Sequence, residues 1–171
     1  MITRLPARNA ALIAAILAFA PVALFAARPS ADLLHRHGYI FFDREETGCL
    51  PWEWYWGSID TGVIRRGDLV TFRNEQASLF PRGALMTKIV AGVPGDTVVI
   101  GHGVISINGQ ILGTLARGAQ HFFKPVNTWD TRYRIPAGQY FVFGSEYRSY
   151  DSRYWGPIRH DQIVTKDTLL D

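Results

Sequence analysis

The sequence predicts a mainly β protein: an antiparallel β-sheet domain hung from one N-terminal transmembrane helix. Three observations carry that expectation. Beyond residue 44, short apolar runs are separated by Gly, Pro and Asn, a spacing that reads as strands and turns. Asn108-Gly109 lies between two such runs and is the strongest hairpin signal in the chain. Ahead of them, residues 10–27 form an 18-residue uncharged, mostly apolar stretch, with Arg4 and Arg8 before it and Arg28 after it.

At ~1.5 Å per residue that stretch spans roughly 27 Å, enough to cross a bilayer. It is expected to be an uncleaved anchor, preceded by a short cytoplasmic segment, 1–9, and followed by a single domain, 28–171. A cleavable secretory signal competes with this reading through Ala18-Phe19-Ala20, but Pro21 follows directly and makes a poor junction. Charge does not fix the orientation, because Arg4 and Arg8 face Arg28, Arg36 and Arg44 across the stretch.

Residues 29–44 read as a mixed connector. A strand over 69–72 is introduced by Arg66-Gly67-Asp68, and a second, 84–90, leads into a turn over 92–96. Residues 97–100, 104–107 and 110–112 form a meander, and 139–143 is a strand entered through Pro136-Ala137-Gly138 and left at Gly144. Neither a repeat nor a second domain is legible. With 47% hydrophobic residues in 171, the chain has enough apolar side chain for a real core.

Composition narrows the function. The net charge of +3 comes from scattered arginines with only Lys88, Lys124 and Lys166 beside them. A nucleic-acid partner needs a basic patch, so none is expected. Cys49 is the only cysteine, which excludes an internal disulfide. His35 and His37 lack a further ligand at metal-binding spacing, so neither a metal nor any other cofactor is expected.

Alternation along the strand places Met86, Lys88 and Val90 on one face. A lysine on an apolar face either snorkels to solvent or is disfavoured as an ammonium, which equips it as a base. Cys49 reads either as a small buried hydrophobe or as a nucleophile. A lipid-anchored cysteine fits poorly, since Glu46-Thr47-Gly48 lacks the apolar residue such a site wants. If 52–56 is extended, Trp52, Trp54 and Trp56 share one face with Glu53 and Tyr55 on the other. Both a membrane-interface face and core packing suit three indoles.

Two strings carry a resemblance. Ser149-Tyr150-Asp151-Ser152-Arg153-Tyr154-Trp155-Gly156 and Lys88-Ile89-Val90-Ala91-Gly92-Val93-Pro94-Gly95-Asp96 resemble the conserved boxes of the type I signal peptidase superfamily, whose members cut leader peptides with a Ser/Lys dyad. Thr47-Gly48-Cys49-Leu50-Pro51 is similar to the Thr-x-Ser-Leu/Ile-Pro stretch of the conjugative-transfer (TraF-like) branch, with Cys in place of the nucleophilic Ser. The likeness runs from about residue 40 to the C-terminus. It departs from the branch in having Ser145-Glu146 after Gly144 and no glycine between Pro51 and Gly57.

The resemblance implies a signal-peptidase-like catalytic domain outside the cytoplasm, on a single-pass anchor in the inner membrane. Cys49 and Lys88 take the catalytic dyad, with Thr47 and the Cys49 N–H as oxyanion-hole donors. Ser149 orients the lysine, while Asp151 and Arg153 hold the active-site architecture. The implied substrate is an exported propilin or another leader-bearing preprotein, alongside conjugative-transfer or type IV secretion components. A housekeeping signal peptidase with broad substrates, or an inactive homologue serving as a secretion or pilus assembly component, remain open alternatives.

Overall fold

The computed structural model describes residues 37–42, 49–146 and 149–170. The expected anchor, 10–27, lies outside them, and so does Thr47. Among the described residues no helix is long and apolar enough to cross a membrane.

Among the described residues eleven strands build two antiparallel sheets: β1 (Gly38–Phe42), β2 (Trp54–Ser58), β3 (Leu69–Arg73), β4 (Leu85–Gly92), β5 (Thr97–Gly101), β6 (Val104–Ile107), β7 (Gln110–Thr114), β8 (Thr131–Arg134), β9 (Gln139–Phe143), β10 (Ile158–Arg159) and β11 (Ile163–Leu169). Two short helices, α1 (Ala116–His121) and α2 (Ser152–Trp155), and two 3-10 turns interrupt them. The larger sheet has the order β1-β2-β11-β3-β4-β9-β10 and the smaller β7-β6-β5-β8. The mainly antiparallel β expectation holds.

The expected connector over 29–44 is corrected at its end, where Gly38–Phe42 pairs with β2 in the register Ile40↔Trp56. Aromatic and β-branched side chains suit a pleated surface once a neighbouring strand is present, and no local turn signal announces that pairing. Gly38 is required by space, since a Cβ there would meet the Trp56 ring at 2.7 Å.

One face of the larger sheet packs Val70, Phe72, Met86, Val90, Val142 and Ile158 into a core, while the opposite face buries Leu50, Tyr55 and Leu69. The smaller sheet has its own core from Val98, Ile100, Ile105, Ile107, Ile135 and Phe141. Strand β4 joins the two regions. A register shift between Val90 and Gly92 turns its end, and Ala91 enters the second core. The turn that follows is clamped by Asp96, whose carboxylate accepts from the Val93 N–H (2.7 Å), Asn108 Nδ2 (2.7 Å) and Arg66 (2.6 Å). Burial opposes its charge, but these donors outweigh it and hold the carboxyl below the usual range. The Gly-x-Pro-Gly-Asp string is thus explained as a structural joint.

Candidate active site

Lys88 sits in mid-strand on β4, between Met86 and Val90 on the same face, and is only 2% exposed. Among the described residues its amine has no hydrogen-bond or ion-pair partner. The alternation read from sequence is therefore the observed one, and the lysine points inward. Across β3 it faces Val70. On the β9 side the paired register runs Val90↔Val142 and Ile89↔Phe143 and ends there, with Lys88 and Gly144 the next residues in sequence on their two segments.

Gly144 is where distant segments meet. A Cβ built on it would collide with Ser149 Oγ and lie 2.6 Å from the Cys49 carbonyl oxygen. Its backbone conformation suits any residue, so space alone demands glycine here. The Gly144 N–H donates to the Asp151 carboxylate at 3.0 Å. The 144–149 loop is further tied by the Glu146 N–H to the Cys49 carbonyl (3.2 Å) and by the Ser149 N–H to the Glu146 carbonyl (3.0 Å).

Cys49 is half-buried and held from both sides. Leu50, next to it, is buried with Tyr55 and Leu69, and the Tyr55 hydroxyl donates to the Trp52 carbonyl. Ser149 is buried, and its Oγ has no hydrogen-bond partner among the described residues. The fold thus gathers the main chain of Cys49, the Ser149 hydroxyl and Gly144, which directly follows Phe143, the partner of Ile89 next to Lys88. No hydrogen bond links Ser149 Oγ to the lysine among the described residues.

Asp151 and Arg153 form the rigid base of this loop. Asp151 caps α2, accepting from the Arg153 N–H (3.2 Å). Its two carboxylate oxygens also accept from Arg153 Nε (2.8 Å) and Nη2 (2.7 Å). Arg153 then reaches the Ser149 carbonyl (3.1 Å), and its guanidinium lies 4.5 Å over the Phe143 ring. Burial works against the arginine's charge, but the hydrogen bonds it donates to Asp151 and the charge of that carboxylate outweigh it, with lesser contributions from Tyr154 and Cys49, so its pKa is raised. Such a charge-assisted bidentate pair carries orientation as well as energy.

Trp54 and Trp56 lie on the face of β2 opposite the buried Tyr55, and Trp52 precedes the strand. Trp54 and Trp52 are exposed while Tyr55 is fully buried, and Trp54 packs against Phe42 with ring centroids 4.3 Å apart and the rings tilted by 34°. His35 lies outside the described residues, and among those described no group of His, Cys, Asp or Glu could hold a metal.

Sequence reasoning missed an aromatic wall beside the Ser149 loop. Phe122 packs on Tyr150 (5.4 Å), Tyr154 (5.7 Å) and Trp129 (6.1 Å), and Tyr150 stacks on Tyr154 at 5.6 Å. Gly118 was the available signal: any side chain there would collide with the Tyr154 ring.

Comparison with known proteins gives a consistent result. A family model described as signal peptidase, peptidase S26, matches residues 4–170. The signal peptidase I of Leptolyngbya laminosa is 31% identical over 106 residues, 58% of this chain and 49% of that protein. A probable signal peptidase I of Synechocystis is 30% identical over 58% of this chain and 44% of that protein. Signal peptidase I V of Bacillus subtilis is 30% identical over 60% and 63%. The chain thus matches about half the length of the first two of these curated relatives. A crystal structure of a signal peptidase I from Enterococcus faecalis aligns with 65% of this chain and 99% of that one, at 23% identity and a TM-score of 0.39.

Proposed function

The chain belongs to the signal peptidase family, peptidase S26, and on that premise we propose that it is a membrane-anchored leader peptidase of conjugative-transfer type, acting on exported propilin-like or other leader-bearing preproteins through Cys49 and Lys88. The observation that supports this reading is Lys88, buried and without a polar partner among the described residues, next to the Ile89↔Phe143 pair, while Gly144, directly after Phe143, has the Cys49 carbonyl and Ser149 Oγ closed against it.

In this account the Lys88 amine takes the Cys49 thiol proton. The thiolate attacks the scissile carbonyl carbon and the oxyanion is met by the Cys49 N–H and the Thr47 hydroxyl. A thiolate leaves more readily than an amine, so the reaction goes forward only if the departing nitrogen is protonated. The Lys88 ammonium supplies that proton as the C–N bond breaks. Water, deprotonated by the same amine, then attacks the thioester, and the thiolate leaves and is reprotonated. Attack by the product's own far-end amine in place of water would give a cyclic product from the same thioester.

The sheet supplies a place for an extended substrate. Strand β9 pairs with β4 only from Ile89 to Gly92, leaving Leu85 to Lys88 without a strand neighbour on that side among the described residues. An extended peptide adding there would run beside the lysine. The 10–27 run and the exposed indoles of Trp52 and Trp54 support a single-pass anchor with the domain on the outer, periplasmic face of the inner membrane.

Cleavage of a leader-bearing peptide by the full chain in detergent tests the reading. Cys49→Ala and Lys88→Ala should each reduce turnover at least ~10³-fold, and the double variant little further, because the two act as a unit. Full activity in either single variant removes the dyad. Absence of cleavage in the unmodified protein favours an assembly role instead.

A further inference from the structure

Ser149 Oγ is buried without a hydrogen-bond partner among the described residues, so no polar contact of its own fixes where the hydroxyl stands. Its place is set through the main chain. The Ser149 N–H donates to the Glu146 carbonyl (3.0 Å), and the Ser149 carbonyl accepts from Arg153 Nη2 (3.1 Å). Both grips come from within the one segment, 146–153.

Tyr150 supplies a tie that reaches further. Half-buried, it is held by two elements distant in sequence and by α2. The Phe80 ring lies 6.4 Å from its own, and both pack against the core that contains Met86, Val90 and Val142. Phe122, at the end of α1, lies 5.4 Å away, and Tyr154 of α2 stacks at 5.6 Å with 25° between the planes. The Tyr150 hydroxyl is 3.2 Å from Ser78 Oγ. The loop that brings Ser78 and Phe80 has a fixed shape, because the buried Asn74 amide donates to the carbonyls of Ala77 (2.9 Å), Phe80 (3.0 Å) and Pro81 (3.1 Å) and accepts from the Ala77 N–H (2.8 Å). A satisfied buried polar group of this kind rigidifies what it joins. We propose that Tyr150 is a positioning residue: its ring, clamped by Phe80, Phe122 and Tyr154, holds the Ser149 main chain so that the buried hydroxyl stays beside Gly144 and the Cys49 carbonyl. It acts through Ser149 and not by touching substrate. This deepens the peptidase reading above, and its kinetic consequence rests on that reading.

Tyr150→Leu keeps an apolar side chain and removes the stacking. With the full chain in detergent and a leader peptide, it should lower kcat at least ~10-fold with KM within ~2-fold, and Tyr150→Phe, which loses only the hydroxyl, should return kcat to within ~2-fold of the parent. Phe80→Leu loosens the clamp from outside the segment and should lower kcat at least ~3-fold. On a Ser149→Ala background both leucine variants should cost no more than ~2-fold, because the hydroxyl they misplace is gone. Amide hydrogen exchange resolved to single residues needs no turnover: the Ser149 N–H should exchange at least ~10-fold faster in Tyr150→Leu, while the Val90 N–H in β4 keeps its rate. Equal losses with and without the Ser149 hydroxyl overturn the inference, and so does unchanged exchange at Ser149. A raised KM at unchanged kcat overturns it too, by making Tyr150 a substrate contact. If the unmodified chain cleaves nothing, the peptidase reading falls and the exchange rates alone decide the positioning role.

Discussion

Asp151 holds Arg153 with both carboxylate oxygens, at 2.8 and 2.7 Å, with both side chains almost wholly buried. The arginine passes that grip on to the Ser149 carbonyl, and the carboxylate passes it to the Gly144 N–H. The loop that meets Cys49 is therefore fixed from below by one ion pair.

Removing one partner of such a pair leaves a buried charge uncompensated. Arg153→Met should lower the unfolding free energy by about 3–5 kcal/mol. Arg153→Lys keeps the charge but not the two-pronged geometry and should fall between. Urea unfolding checks both, and a loss under ~1 kcal/mol for the methionine variant would show that the loop is held by something else.

Gly144→Ala isolates the close approach. The added methyl must displace Ser149 Oγ or the Cys49 carbonyl, so turnover should drop at least ~10²-fold while stability falls by about 1–3 kcal/mol. Steady-state kinetics beside thermal melting separates the two effects. Normal turnover would mean that the approach of these segments is irrelevant to catalysis.

Asp167 gives a pH dependence. It is 6% exposed on β11, and burial pushes its carboxyl up to about 6 although the Thr71 (2.6 Å) and Thr165 (2.7 Å) hydroxyls donate to it. The folded state thus holds this proton more tightly than the unfolded chain. Its contribution to stability is complete below pH ~4 and is lost as pH rises through about 6. A shift of ~2 units corresponds to about 3 kcal/mol. Asp167→Asn removes that loss, so the variant should gain on the parent protein between pH 4 and 7 in paired urea titrations. Parallel curves would refute the assignment.

Much of the fold was legible because the strands over 69–72, 104–107 and 139–143 carry compact apolar runs bounded by turn residues. At Asn108-Gly109 both residues take positive φ, as a tight hairpin demands. Strand β11 was not legible. Its interior carries Lys166 and Asp167, and only after it slides between β2 and β3 do Asp68 (2.7 Å to Lys166) and the threonine hydroxyls satisfy those charges. Strand β8, Thr-Arg-Tyr-Arg, reads as polar loop for a similar reason. At the site, Lys88 could be assigned a face by period alone, whereas the pairing of its neighbour Ile89 with Phe143, next to Gly144, depends on β4 meeting β9. The aromatic wall joins Phe122 to Tyr150, residues no local pattern connects.

The central claim is that Cys49 attacks the substrate with Lys88 as its proton partner, and the most direct measurement is of the covalent intermediate. The full chain, mixed with a leader peptide and quenched in acid within its first turnovers, should show by mass spectrometry a peptide-sized adduct that maps to Cys49. The adduct should be absent in Cys49→Ala and form at least ~10³-fold more slowly in Lys88→Met, which keeps length and apolar character but has no amine to take or return the proton. Cleavage continuing in Cys49→Ala, or an adduct forming on Cys49 at the same rate without the lysine, would contradict the account.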